Sequence, residues 1–180
     1  MTLHATPSQT AGPFLSIGLR WSDGPHVVPP GTPDAFWLRG RVLDAAGEPV
    51  LDALVETWQA DQQGRFAGWQ ETGGFRGFGR SETLDGEYAV LTVKPAAVPD
   101  ADGHPQAPHV AVSVFARGLL DRVVTRIYFA DEPEANAVDP LLSALPDDAA
   151  RATLTAWPEP DGYRLDLVLQ GSDETVFLSL

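Results

Sequence analysis

The sequence predicts an all-β protein, an antiparallel β-sandwich with long loops, an extended N-terminal arm and minor short helices. Short runs rich in Val, Thr and aromatic residues alternate with a period of two, which fits a pleated surface. Gly, Pro and Asp cluster between those runs, and no strand–helix–strand rhythm accompanies them. One domain suffices for 180 residues, with the arm over 1–34 and the sandwich core over 35–180.

In the arm, Pro7, Pro13, Pro25, Pro29, Pro30 and Pro33 each remove a backbone donor, so neither helix nor central strand is expected there. A strand over 36–43 follows, closed by the turn-forming stretch 44–49. Within 53–60, Val55 and Thr57 alternate with Leu54, Glu56 and Trp58, and Trp58 is expected in the core because a large aromatic contributes mainly by burial. Glu56, Gln59 and Asp61 flank it as turn-capping residues rather than catalytic ones. Further strands are expected over 79–84, 87–93 after the Asp85-Gly86 hairpin signal, 110–116, 123–129, 164–170 and 175–178. Residues 140–145 and 147–154 can form short helical turns.

Composition narrows the function. Hydrophobic residues at 43% and charged residues at 21% describe a globular chain rather than a disordered one. Twelve basic and 25 acidic residues give a net charge of -13, a field that repels phosphate, so nucleic acid is excluded as a partner. No apolar run approaches a membrane span, and residues 1–9 lack the pattern of a signal peptide, so no membrane association and a cytoplasmic location are expected. With no Cys, any metal must use His, Tyr, Asp or Glu. Phosphate loops, G-x-S-x-G elbows and H-E-x-x-H helices are missing too. Of His4, His26, His104 and His109, only His109 borders an expected strand; a metal shared by His104 and His109 would lack a third ligand.

Five segments carry chemistry when taken in order. They are Thr6-Pro-Ser-Gln-Thr-Ala-Gly-Pro-Phe14, Val55-Glu-Thr-Trp-Gln-Ala-Asp61 with Gly64-Arg65-Phe66, Thr92-Val-Lys-Pro95, Ala107-Pro-His-Val-Ala-Val112 and Thr125-Arg-Ile-Tyr-Phe129. Together they resemble the intradiol ring-cleavage dioxygenases, and the opening segment resembles that of the α chains of the protocatechuate-cleaving members. The resemblance implies two homologous chains, of which only the iron-binding β subunit holds Fe(III), through two Tyr and two His. Hard ferric iron suits phenolate and imidazole donors. At the corresponding positions this sequence has Phe66, Val98, His109 and Ala111, so three of the four ligands are missing and no metal is expected on this chain.

What the resemblance implies is therefore a function of the complex, an oxidoreductase that cleaves protocatechuate with O2 to 3-carboxy-cis,cis-muconate at the α–β interface. The isolated chain is expected to be inactive. By motif, the α contribution to the partner's pocket falls on Thr10, Gly12, Pro13, Phe14 and Arg126. Other roles stand beside these. The arm can be a mere anchor; Phe14, where family members often carry Tyr, can be a hydrophobic plug; Arg126 can pair at the surface with Asp131 or Glu132. Residues 41–50 and 83–88 also resemble transthyretin-like binding modules, which have no enzymatic activity. Catechol and hydroxyquinol enzymes are the nearer rivals, but they need all four ligands.

Overall fold

Val110, Val112 and Val114 are buried while His109, Ala111, Ser113 and Phe115 stay partly exposed, which is how a strand with one face on a core is built. The computed structural model describes residues 5–12, 14–20, 22–68 and 74–179. In chain order the elements are α1 (Phe14–Gly18), β1 (Phe36–Gly40), β2 (Val42–Leu43), β3 (Leu54–Trp58), β4 (Phe78–Glu82) and β5 (Tyr88–Thr92). Next come β6 (Val98–Pro99), β7 (Pro105–Gln106), β8 (His109–Phe115), β9 (Val123–Phe129), α2 (Pro133–Val138), α3 (Pro140–Ala144) and α4 (Asp148–Ala152). The last are β10 (Thr155–Glu159), β11 (Gly162–Arg164) and β12 (Leu167–Val168). Among the described residues, no helix is long and apolar enough to cross a membrane.

Strands dominate, as expected, but the pairing is mixed rather than antiparallel throughout. Eight strands form one sheet in the order β4-β3-β8-β9-β10-β11-β1-β5. Its end strands β4 and β5 meet, with the Ala89 N–H donating to Ser81 Oγ at 2.9 Å, so the sheet nearly closes on itself. Three pairings are parallel: β9 with β10, β1 with β11 and β2 with β12. A parallel return needs a long crossover, and α2, α3 and α4 supply it between β9 and β10.

Several boundaries differ from the sequence expectation for local reasons. The run 36–43 breaks at Arg41, whose N–H and guanidinium both donate to Asp166, and 164–170 breaks beside it into β11 and β12. Residues 175–178 form no strand, although the Leu178 N–H donates to Val124 O at 2.7 Å. β10 contains Pro158, which is harmless because the β9 pairing ends at Ala156 and no ladder bond awaits its missing N–H. The arm is not extended throughout, since the proline-free stretch 14–24 allows α1.

The main core joins Leu38, Val55, Tyr88, Val112, Ile127 and Phe129 across the sheet. A second cluster of Tyr128, Leu142 and Leu154 sits under the helices. The later part of the arm belongs to the body. Val27 is fully buried, its N–H donates to Leu91 O at 2.9 Å, and the Leu91 N–H donates to Pro25 O at 2.8 Å.

Candidate functional site

Register across the sheet assembles the site. Trp58 stands opposite Ala111, and Ala111 opposite Arg126, so the three side chains share one row on the face away from the core. In the next row His109 stands opposite Tyr128. Phe66 is brought in by the turn before it, where Asp61 Oδ1 accepts from the Gln63 N–H at 2.8 Å and the Arg65 N–H at 2.9 Å. Gly64 takes the positive φ of 77° that this turn needs. Val98 enters from β6, and Trp58, Phe66, Val98, His109, Ala111 and Arg126 line a cavity of ≈ 250 Å³.

Asp61 thus caps a turn, as expected, and Glu56 is held by Arg80 with Oε1 accepting from Nε at 2.9 Å. Gln59 is buried, with its amide donating to Val93 O at 2.8 Å. Trp58 corrects the expectation. Val55 and Thr57 take the inward phase of β3, which leaves Trp58 41% exposed and stacked on Phe66 at 6.1 Å between centroids, 12° between planes.

The ionisable groups lining the cavity are an imidazole and a guanidinium, with Gln106 beside them. His109 Nδ1 donates to Ala107 O at 2.7 Å, since a carbonyl only accepts, and Nε2 is left as a lone-pair atom. Burial, then the nearby charge of Arg126, holds the His109 imidazole below its usual pKa. Arg126 Nη1 donates to the Tyr128 hydroxyl at 3.3 Å, and that hydroxyl donates to Asp139 Oδ1 at 3.1 Å. Burial pushes the Tyr128 phenol up to about 12, so it stays a donor. Fully buried Asp139 also accepts from the N–H groups of Ala107, Leu141 and Leu142 at 2.9, 2.9 and 3.0 Å. One carboxylate therefore caps α3 and fixes the carbonyl-bearing residue that orients His109.

These residues do not fit a ferric ion. Phe66, Val98 and Ala111 offer no lone pair, and Arg126 puts a positive charge where a trivalent cation would sit. His104 offers no help, because it is turned to Asp100 with Nδ1 3.2 Å from Oδ2. Among the described residues, the one cluster of potential ligands is the exposed Asp100, Asp102 and His104 turn, which excludes His109.

The arm residues lie elsewhere. Thr10 Oγ1 accepts from the Gly118 N–H at 2.7 Å, and Ser8 Oγ donates to Leu120 O at 2.8 Å, so the arm rests on the tip of the β8–β9 hairpin. Arg126 faces Ala111, and the four residue steps from Ala111 to Phe115 put about 13 Å of strand between it and that tip. Two cations lie beside the arm: Arg117, next to Gly118 and ion-paired with Asp52, and Arg122, which lines a cleft with Gln9 and Ala11. A Cβ placed on Gly12 would meet nothing within 4 Å, and Pro13 lies outside the described residues. Phe14 is 76% exposed and plugs nothing on its own chain. Asp131 and Glu132 bind Lys94, at 2.7 and 3.1 Å, and not Arg126.

Sequence reading missed Tyr128, Asp139 and Arg117. Asp139-Pro140 was a readable helix start, and Arg117-Gly118 a readable turn; Tyr128 lies in the 125–129 segment, but nothing in that segment set it apart from any other aromatic in a strand.

A family model described as Dioxygenase matches residues 20–171, and the chain belongs to this family of intradiol ring-cleaving oxidoreductases, which are non-haem iron enzymes. Within it, the chain is 40% identical to the protocatechuate 3,4-dioxygenase alpha chain of Pseudomonas putida, covering 97% of this chain and 96% of that one. It is 37% identical to the beta chain of the Burkholderia cepacia enzyme, over 77% of this chain and 65% of that one. Catechol 1,2-dioxygenase from Pseudomonas arvilla C-1 shares the fold, with a TM-score of 0.61 at 21% identity, covering 81% of this chain and 55% of that longer one. A transthyretin-like binding module is thereby set aside.

Proposed function

We propose that this chain is the α subunit of a protocatechuate 3,4-dioxygenase, that it binds no iron, and that a homologous β subunit holds the Fe(III) on which protocatechuate and O2 react. Both oxygen atoms enter the product, 3-carboxy-cis,cis-muconate. The observation that carries this reading is the cavity in which Phe66, Val98 and Ala111 leave His109 as a lone donor beside a cation. Likeness to α chains over nearly the whole length, and weaker likeness to a β chain, supports the two-chain assembly.

This chain's contribution to the partner's pocket is assigned to Thr10, Gly12, Pro13 and Phe14. Exposed apolar side chains support a partner-facing role for the arm and hairpin tip, since Phe14, Ile17 and Leu120 are 76%, 66% and 62% exposed. Arg126 is left out of that contribution because it faces its own chain's cavity. A cytoplasmic location fits a chain without cysteine.

Co-expression with a chain bearing two Tyr and a His-x-His motif tests the proposal. Expected are one iron per pair by elemental analysis, the visible phenolate-to-iron band, and O2 uptake with protocatechuate. Stoichiometric iron in this chain purified alone would sink it.

A further inference from the structure

We propose that the iron-less cavity is itself a binding site for a one-ring aromatic carboxylate bearing a ring hydroxyl, which it holds without cleaving. Its volume of ≈ 250 Å³ falls below the ~300–1,000 Å³ of pockets for drug-sized ligands, which sets the scale at a single ring.

Charge selects the carboxylate. Apart from Arg122, every other Lys and Arg among the described residues pairs with a carboxylate, whereas half-buried Arg126 makes one long bond to a neutral phenol. The nearby acids are committed: Asp131 and Glu132 to Lys94, and Asp139 to Tyr128 and the N–H groups of Ala107, Leu141 and Leu142. A planar guanidinium without an anion matches a carboxylate in a bidentate pair.

Shape selects the ring. Trp58 and Phe66 lie 12° from parallel and stay 41% and 52% exposed at the cavity, a flat apolar wall that a third ring can cover. The hydroxyl goes to His109, whose Nδ1 is spent on Ala107 O and whose Nε2 is an acceptor without a partner among the described residues. With no metal donors beside it, a bound ring meets nothing that can activate it or O2.

The rival explanation is structural, with Arg126 serving only to steady Tyr128. Equilibrium dialysis of the assembled complex against 4-hydroxybenzoate, which has no second hydroxyl for intradiol cleavage, separates the two. Expected are bound equivalents exceeding iron by one per copy of this chain. Arg126→Met removes the excess while leaving the partner's visible iron band unshifted. Arg126→Lys, which keeps the charge but not the fork, weakens this site about tenfold or more. On the unmodified complex, where folding is not in question, 4-hydroxybenzyl alcohol binds the extra site about tenfold to a hundredfold more weakly. Bound equivalents equal to iron, an excess unchanged in Arg126→Met, or equal binding of the alcohol would each overturn the proposal. Should the chain prove to work without an iron-bearing partner, one equivalent bound by the chain alone would still support this site while refuting the subunit assignment.

Discussion

A buried carboxylate with four donors around it cannot be removed cheaply. Asp139 takes hydrogen bonds from the N–H groups of Ala107, Leu141 and Leu142 and from the Tyr128 hydroxyl. Asp139→Ala strands those donors in a dry site, and hydrogen bonds to charged groups are worth about 1.5–3 kcal/mol each, not additively. A loss on the order of 3 kcal/mol or more is expected, read as a lower urea midpoint; an unchanged midpoint would mean that water replaces the carboxylate. Asp166 gives a pH signature. Burial alone would raise its carboxyl, but the guanidinium and N–H of Arg41 and the charge of Arg164 hold it below the usual carboxylate pKa. A carboxyl lowered on folding stabilises fully above its unfolded pKa of about 3.9, and that contribution is lost as pH falls through the folded value. Asp166→Asn should therefore lower stability at pH 7 and flatten its decline between about pH 5 and pH 2. An unchanged acid limb in denaturant titrations would refute this.

At the scale of elements, close backbone approach decides what the break between β1 and β2 tolerates. A Cβ placed on Gly40 would lie 1.7 Å from Leu165 O, the same oxygen that accepts the Tyr88 hydroxyl at 2.7 Å. Gly40→Ala must push β1 off the 165 segment, and a loss of several kcal/mol is expected, with poor soluble yield or a Tm lowered by about 10 °C or more. A near-native Tm would show that the strands separate freely here. β3, β5, β8 and β9 were legible from sequence to within a residue or two, because short runs of β-branched and aromatic residues end at turn residues, and in β8 valines fall at every second position. β10 was hidden by Pro158, and the breaks at Arg41 and Asp166 depend on a side chain 125 residues away. Parallel pairing was likewise invisible, since residue pattern reports which face a strand buries and not the direction of its neighbour.

For the whole molecule, the site was half legible. Phe66, Val98, His109 and Ala111 were readable as one constellation, and the fold brings them together; Arg126 was readable as a charge, but its face became clear only from its register with Ala111. The arm divides along its length in the same way. Its later part is built into the body through buried Val27 and the bonds between Pro25, Val27 and Leu91, whereas Ser8 and Thr10 make exposed bonds to the hairpin tip. Exposed hydrogen bonds contribute little, and exposed Phe14 contributes no burial within this chain. Deleting residues 1–14 should therefore cost the chain itself about 1 kcal/mol or less by urea titration, because every residue of the main core remains. The assembled enzyme should lose far more. An arm that completes the partner's pocket is expected to lower kcat/KM toward protocatechuate by at least tenfold, with iron content unchanged by elemental analysis. Unimpaired turnover by the truncated complex would reduce the arm to an anchor, and equal damage to folding and turnover would show that residues 1–14 act through the stability of this chain.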